Sequence, residues 1–257
     1  MYPDLFGVNG LSMVIMIFIG VIAAATLFFI YLHKNGVDKS QFIDLGVVIV
    51  ATIFAGIVFA ILVENIYEAI KASINGLVPH WTWAMTFYGG LAGGVVTFIL
   101  VYRFYCLRFN PPVFDKILRI APACIALGHG FGRIGCFLSG CCYGIETHTC
   151  ADIYFPIHDH AYLPTQLYEM GFLFVLATVL AILAFKHITN YTMLIYMGAY
   201  ATFRFIIEFF RGDERGQLAG LSPSQYWCIL LLLLIVPLFF LFKNRIFLEK
   251  PPQNNEI

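Results

Sequence analysis

Leu11-Ser-Met-Val-Ile-Met-Ile-Phe-Ile-Gly-Val-Ile-Ala-Ala-Ala-Thr-Leu-Phe-Phe-Ile-Tyr-Leu32 runs for 22 residues without a charge. At about 1.5 Å per helical residue that is enough to cross a hydrocarbon layer roughly 30 Å thick. Met85 to Tyr102 and Ser222 to Phe242 are likewise uncharged, and three more windows qualify with ionisable residues: Gln41 to Val63 with Asp44, Gln166 to Phe185 with Glu169, and Tyr191 to Phe210 with Arg204 and Glu208. A seventh, Phe114 to Gly130, carries Lys116 and Arg119 near its start and Pro122 inside, which predicts a kinked or tilted helix. The expected fold is therefore an all-α polytopic membrane protein of about seven transmembrane helices. One transmembrane domain spans 1–248, an outward Gly/Cys-rich loop 131–165 lies within it, and 249–257 form a polar tail.

Composition agrees. Of 257 residues, 60% are hydrophobic and 12% charged, about half the charge of an ordinary soluble domain. Fifteen Lys and Arg balance fifteen Asp and Glu, so the chain offers no basic surface for nucleic acid. Ten of the fifteen basic residues (Lys34, Lys39, Arg103, Arg108, Lys116, Arg119, Lys186, Lys243, Arg245 and Lys250) fall on one side of a seven-span arrangement. Short cytoplasmic loops retain such residues, which predicts an outside N-terminus and a cytoplasmic C-terminus. The first run lacks a basic leader and exceeds the apolar core of a secretory signal, about 7 to 15 residues, so it reads as a span.

Polar chemistry gathers toward the outer ends. Gly128-His-Gly-Phe-Gly-Arg-Ile-Gly-Cys-Phe-Leu-Ser-Gly-Cys-Cys-Tyr-Gly144 holds six glycines in 17 residues around Arg133. Such a backbone can turn N–H groups toward an anion, and a guanidinium there can grip phosphate with two donors. The plainer reading is close helix packing with Arg133 reaching the interface. Arg204, Glu208 and Arg211, at i, i+4 and i+7, form one helical stripe in which Glu208 neutralises Arg204 and leaves Arg211 near the surface. Gln166 and Glu169, behind Pro164, share a helix face, either pairing with a neighbouring helix or taking part in catalysis. Phe87-Tyr-Gly-Gly-Leu-Ala-Gly-Gly94 admits a helix or a lipid head closely, with Tyr88 at that depth.

Four of seven cysteines, Cys136, Cys141, Cys142 and Cys150, lie in one stretch with His129, His148, His158 and His160 nearby. Three readings stay open. A disulfide from Cys150 to Cys141 or Cys142 suits an oxidising exterior and ranks first. Zinc is weakened by spacing that lacks paired Cys-x2-Cys. A reactive thiol needs a neighbour such as Arg133 or His129.

Gly132-Arg-Ile-Gly-Cys-Phe-Leu-Ser-Gly-Cys-Cys-Tyr-Gly144 resembles the signature of the prolipoprotein diacylglyceryl transferase family, Gly-Arg-x-Gly-Asn-Phe-x-Asn-x-Glu-x-x-Gly. Pro164-Thr-Gln-Leu-Tyr-Glu169 is similar to its Pro-Ser-Gln-Leu-Tyr-Glu, Arg204 to Arg211 to its Arg-Phe-x-x-Glu-Phe-Phe-Arg, and Gly220-Leu-Ser with Gln225 to its Gly-Leu-x-x-x-Gln. The resemblance implies transfer of the diacylglyceryl group of phosphatidylglycerol, or a similar anionic phospholipid, to the lipobox cysteine of a preprolipoprotein, with release of glycerol phosphate. It implies a bacterial inner membrane, a site opening outward, and neither cofactor nor metal. It would put Arg133 and Arg211 on the phosphate, and Gly89, Gly90, Gly132, Gly135, Cys136, Gly144, Gln166, Glu169, Arg204 and Glu208 around the substrate.

Three positions depart from the pattern. Tyr88 stands where the family has His, Cys136 where it has Asn, and Cys141 where it has Glu. His129 is the nearby group that would replace the lost base. Because the departures concern the acceptor side, a paralogue serving another acceptor is a rival reading, as are a non-catalytic lipid-binding protein and a thiol-redox protein using Cys141 and Cys142.

Overall fold

A computed structural model describes residues 4–5, 8–74, 76, 78–82, 86–105, 111–147, 149–212 and 220–246. His148, much of the loop after Gly212 and the polar tail fall outside the described residues, as does the side chain of Tyr88. Among the described residues there are seven α-helices: α1 Leu11–Lys34, α2 Lys39–Ile74, α3 Phe87–Tyr105, α4 Pro111–Leu138, α5 Thr165–Phe185, α6 Thr192–Ile207 and α7 Pro223–Ile246. Six are long and apolar enough to cross a membrane by length and composition; in α3 the apolar stretch among the described residues is Ala92–Val101, short of that measure. Two antiparallel hairpins accompany the helices, β1 (Asp4–Leu5) with β2 (Val8–Asn9) and β3 (Ile153–Phe155) with β4 (His160–Tyr162).

The helices pack into two compact units, one of Met1–Leu32 with Phe114–Ile257 and one of His33–Val113. In the smaller unit α2 continues to Ile74, well past the apolar window that ends at Val63. Glu64, Glu68, Ala69, Lys71 and Ala72 are strong helix formers, so the helix propagates after hydropathy has fallen. Here α3 lies against α2 through glycine. A Cβ on Gly89 would sit 2.7 Å from Val63 Cβ, one on Gly90 3.3 Å from the Gly56 carbonyl, and one on Gly93 2.3 Å from Phe59 Cβ. Gly89 and Gly90 thus serve the approach of a helix.

In the larger unit the same device joins α1 to α4. A Cβ on Gly20 would come within 3.0 Å of the Gly128 carbonyl, and one on Gly135 within 3.2 Å of Met13 Cα. Contacts seven residues apart on each helix, in opposite order, make the pair antiparallel. Gly130 receives the Phe174 ring of α5, where a Cβ would stand 2.6 Å away. The outward loop expected from 131 therefore starts later, because α4 remains helical through Leu138. Glycine costs about 1 kcal/mol per residue in an exposed helix, but here neighbouring helices fill the space that side chains would have used. Ala126 of α4 packs with Leu173 and Ala177 of α5 in an apolar cluster, and Ile117, Ile120 and Ala123 of α4 and Leu176 and Leu180 of α5 are buried as well. Phe18, Ile22, Leu233 and Val236, by contrast, lie on outward helix faces, as expected of helices solvated by lipid.

Candidate active site

Glu169, just beyond the first turn of α5, is completely buried and is the centre of the site. Its Oε2 lies 3.0 Å from Arg133 Nε and 3.4 Å from Arg204 Nη1, and its Oε1 accepts a 2.9 Å hydrogen bond from the Tyr200 hydroxyl. His129 Nε2 stands 3.8 Å from Oε1, and its ring meets Tyr200 edge-on at 5.2 Å. His129 and Arg133 reach the same carboxylate because they are one turn apart on α4. Arg204 in turn meets Glu208 Oε2 at 2.6 Å, so two guanidiniums and two carboxylates alternate through the interior of the bundle. Buried charges persist at such depth only when matched in this way.

Glu208 is held from a second side. Ser222 donates its hydroxyl to Glu208 Oε1 at 2.8 Å and accepts the Gln225 N–H at 3.3 Å, while Gln225 Oε1 accepts the Ser222 N–H at 2.9 Å. Those reciprocal bonds are a helix capping box on α7, with Pro223 at the first helical position. The Ser-Pro-Ser-Gln spacing signals it in the sequence; that the capping hydroxyl also serves Glu208 emerges only from the fold. Ser222→Ala is expected to destabilise the protein by about 1–2 kcal/mol, through loss of the cap and of a bond to a buried carboxylate. Chemical denaturation in detergent measures it, and an unchanged midpoint would contradict this role.

Arg211 departs from the stripe expected with Arg204 and Glu208. The last turn of α6 tightens into a 3-10 turn at Glu208–Phe210, and Arg211 is extended, with φ −80° and ψ 136°. It forms a β-bridge with Gly144, flanked by hydrogen bonds from Ile145 N to Phe210 O at 2.9 Å and from Gly212 N to Tyr143 O at 3.3 Å. Gly144 is required there, since a Cβ would lie 2.7 Å from the Phe210 carbonyl and 2.8 Å from that of Leu163. Arg211 thereby joins the loop that follows α4. Both Arg133 and Arg211 come within electrostatic reach of the Cys142 thiol.

That loop is tied to α5 by two side chains of its first turn. Gln166 Nε2 donates to the Cys141 carbonyl at 2.6 Å and the Thr165 hydroxyl to the Cys142 carbonyl at 3.0 Å. Gln166 Oε1 is buried without a hydrogen-bond partner among the described residues. Behind the loop the β3–β4 hairpin packs buried Phe155 against Phe137, Tyr143 and Tyr162.

The disulfide that ranks first from sequence is not formed. Among the described residues, Cys124, Cys136, Cys141, Cys142, Cys150 and Cys228 all carry reduced thiols. Cys150 is exposed, whereas the sulfurs of Cys136, Cys141 and Cys142 lie within 4.8 Å of one another. Hydrogen bonds from Cys136 and Cys141, together with the Arg211 guanidinium, hold the Cys142 thiol below its ordinary range, and the same bonding pushes Cys141 up.

The larger unit thus brings together Arg133, His129, Gly132, Gly135, Cys136, Gly144, Gln166, Glu169, Arg204, Glu208 and Arg211, while Tyr88, Gly89 and Gly90 belong to the other unit. Tyr200, Ser222 and Gln225 join the site without having been singled out as site residues from sequence.

Apolar helices of spanning length, with matched arginines and carboxylates buried inside one unit, define a multi-pass membrane protein with an interior charged site. The chain belongs to the prolipoprotein diacylglyceryl transferase family, whose model matches residues 11–241. It is 34% identical over 249 residues to the phosphatidylglycerol--prolipoprotein diacylglyceryl transferase of Clostridium tetani, covering 92% of this chain and 94% of that one. A second such transferase, from Clostridium perfringens, is 30% identical over 237 residues, with 90% of each chain covered. The transferase of Dehalococcoides mccartyi strain 195 is 33% identical over 238 residues, covering 90% of this chain and 88% of its own.

Proposed function

We propose that this chain transfers the diacylglyceryl group of phosphatidylglycerol to the cysteine thiol of a preprolipoprotein, releasing glycerol phosphate. The observation that carries this reading is the mounting of Arg133. Glu169 Oε2 stands 3.0 Å from its Nε as an ion-pair partner, and the terminal Nη pair is the end this reading assigns to the phosphate. At Gly132, beside it, an added Cβ would meet nothing within 4 Å. A guanidinium oriented by a buried carboxylate next to open space suits a phosphate headgroup.

In the proposed reaction the acceptor sulfur forms a bond to the glyceryl carbon as that carbon's bond to the phosphate oxygen breaks. The leaving glycerol phosphate departs with the bonding electrons. Arg133 and Arg211 bind the phosphate and neutralise the charge that grows on it, which is where fixed cations lower a barrier most. Gln166 Oε1, otherwise an unsatisfied buried acceptor, accepts from a hydroxyl of the headgroup. His129 takes the thiol proton, and the open space at Gly132 beside Arg133 admits the lipid headgroup. The site opens to the outer face of the bacterial inner membrane, with the N-terminus outside and the C-terminus cytoplasmic.

Purified protein given radiolabelled phosphatidylglycerol and a lipobox peptide is expected to yield lipidated peptide and soluble glycerol phosphate in equal amounts. Glycerol phosphate without modified peptide would reject the acceptor, and no turnover of the lipid would reject the reaction.

A further inference from the structure

Three thiols converge where α4 ends. Gly140, at φ +68°, closes the helix with hydrogen bonds from Gly140 N to Phe137 O and from Cys141 N to Cys136 O, both 3.1 Å. This glycine C-cap folds the chain back, so that Cys141, five residues on, lies over Cys136. Cys142 then adopts φ +65°, in the left-handed region that non-glycine residues seldom occupy and that carries a conformational cost. Two consecutive backbone reversals thus bring three sulfurs together in one pocket, each within 4.8 Å of the others.

The surroundings hold this arrangement in place. The Cys141 and Cys142 carbonyls are fixed by Gln166 and Thr165. Cys136 is buried in the last turn of α4, while Cys141 and Cys142 are only partly covered. Arg211, bridged to Gly144 two residues beyond Cys142, brings its guanidinium within electrostatic reach of the Cys142 sulfur. A disulfide would consume two of the three thiols, and adjacent cysteines bridge only with strain. Simple packing does not need three converging sulfurs and a strained Cys142. Outer groups that fix the ligand-bearing backbone, as Gln166 and Thr165 do here, are what surround a bound metal.

We propose that Cys136, Cys141 and Cys142 bind one zinc(II) ion, leaving a fourth coordination position for the sulfur of the acceptor cysteine. Zinc to sulfur bonds of about 2.3 Å in a tetrahedral site separate the sulfurs by about 3.8 Å, so the triad needs only a small contraction to close on the ion. A catalytic zinc site has three protein ligands and one open position. The role of that position rests on the transfer proposed above. The acceptor's S–H bond breaks and its proton passes to His129 as the sulfur binds the ion. The sulfur lone pair then forms the bond to the glyceryl carbon while the carbon to phosphate oxygen bond breaks. No electron is gained or lost by the metal, so no oxidant or reductant is required. The same chemistry suits copper(I), which the test separates from zinc.

The full chain, purified in detergent with a phosphine reductant and stripped by chelator, is given zinc chloride or copper(I) in parallel and desalted. Binding of one zinc per chain is expected, falling at least about tenfold in Cys136→Ser/Cys142→Ser. In the unaltered protein, zinc is expected to protect Cys141 and Cys142 from alkylation by N-ethylmaleimide while exposed Cys150 reacts as before, a readout independent of variant folding. Cobalt(II) in place of zinc should show a visible spectrum that changes with a lipobox cysteine peptide and not with its serine counterpart. Zinc well below one per chain, equal retention in the variant, absence of protection, or retention of copper alone would overturn the zinc site. A cobalt spectrum indifferent to the peptide would overturn the acceptor role. Transfer at the full rate by stripped protein would do the same and leave the transferase reading standing. Zinc held at one per chain without any lipid transfer would reject the transferase reading and leave the metal site standing.

Discussion

Glu169→Leu is expected to lower stability by about 3–5 kcal/mol, the cost of removing one partner from a buried ion pair. Glu169 is completely buried and is the carboxylate on which Arg133, Arg204 and Tyr200 converge. Leucine nearly preserves volume, so the loss would come from electrostatics and not from a cavity. Arg204 keeps Glu208 at 2.6 Å, which leaves Arg133 with the larger share of the penalty. The double variant Glu169→Leu/Arg133→Leu should therefore be more stable than Glu169→Leu alone, a coupling expected only of residues in direct contact. Glu169→Gln, which still accepts the Tyr200 hydrogen bond, should fall between them. Denaturant unfolding in detergent measures all three, and additive losses from the two leucine substitutions would contradict the pairing.

The largest effect on turnover is expected from Arg133→Lys. Arginine can contact Glu169 through Nε and still present its terminal fork to a phosphate, whereas lysine has a single ammonium and must choose. Charge balance with Glu169 is retained, so the protein should still fold. Release of glycerol phosphate should fall about 10²–10³-fold, the usual effect of removing one donor from a site where charge develops in the transition state. If the variant keeps more than about a third of the activity, Arg133 does not touch the phosphate and its place is purely structural. Measuring kcat and KM separately shows whether the lost contact belongs to the bound lipid or to the transition state.

The glycine-rich stretch shows where sequence reasoning succeeded and where it stopped. Arg133 was legible as an ionised group at membrane depth, because an unmatched charge there is too costly to be incidental. Whether its glycines bend a loop or pack a helix was not, since the answer depends on Met13, Gly20 and Phe174, which lie far away in the chain and fill the space at Gly135, Gly128 and Gly130. The i, i+4 pairing of Arg204 with Glu208 followed from helical periodicity. Arg211 did not, because its position is set by a bridge to Gly144 that ends the helical stripe. The disulfide was inferred from compartment and cysteine count, but the closing of the chain at Gly140 gathers three sulfurs and leaves Cys150 outside.

By itself the sequence determined the helices and the family. Lipid can solvate neither charge nor unpaired backbone, so long apolar runs admit one secondary structure, and the motifs stand in order along the chain. Only the tertiary structure decided which polar groups meet: Glu169 with Arg133 and Arg204, Ser222 with Glu208, and Cys136 with Cys141 and Cys142. Those partners come from helices and loops distant in sequence, and a buried polar group acquires its energy from its neighbour in space.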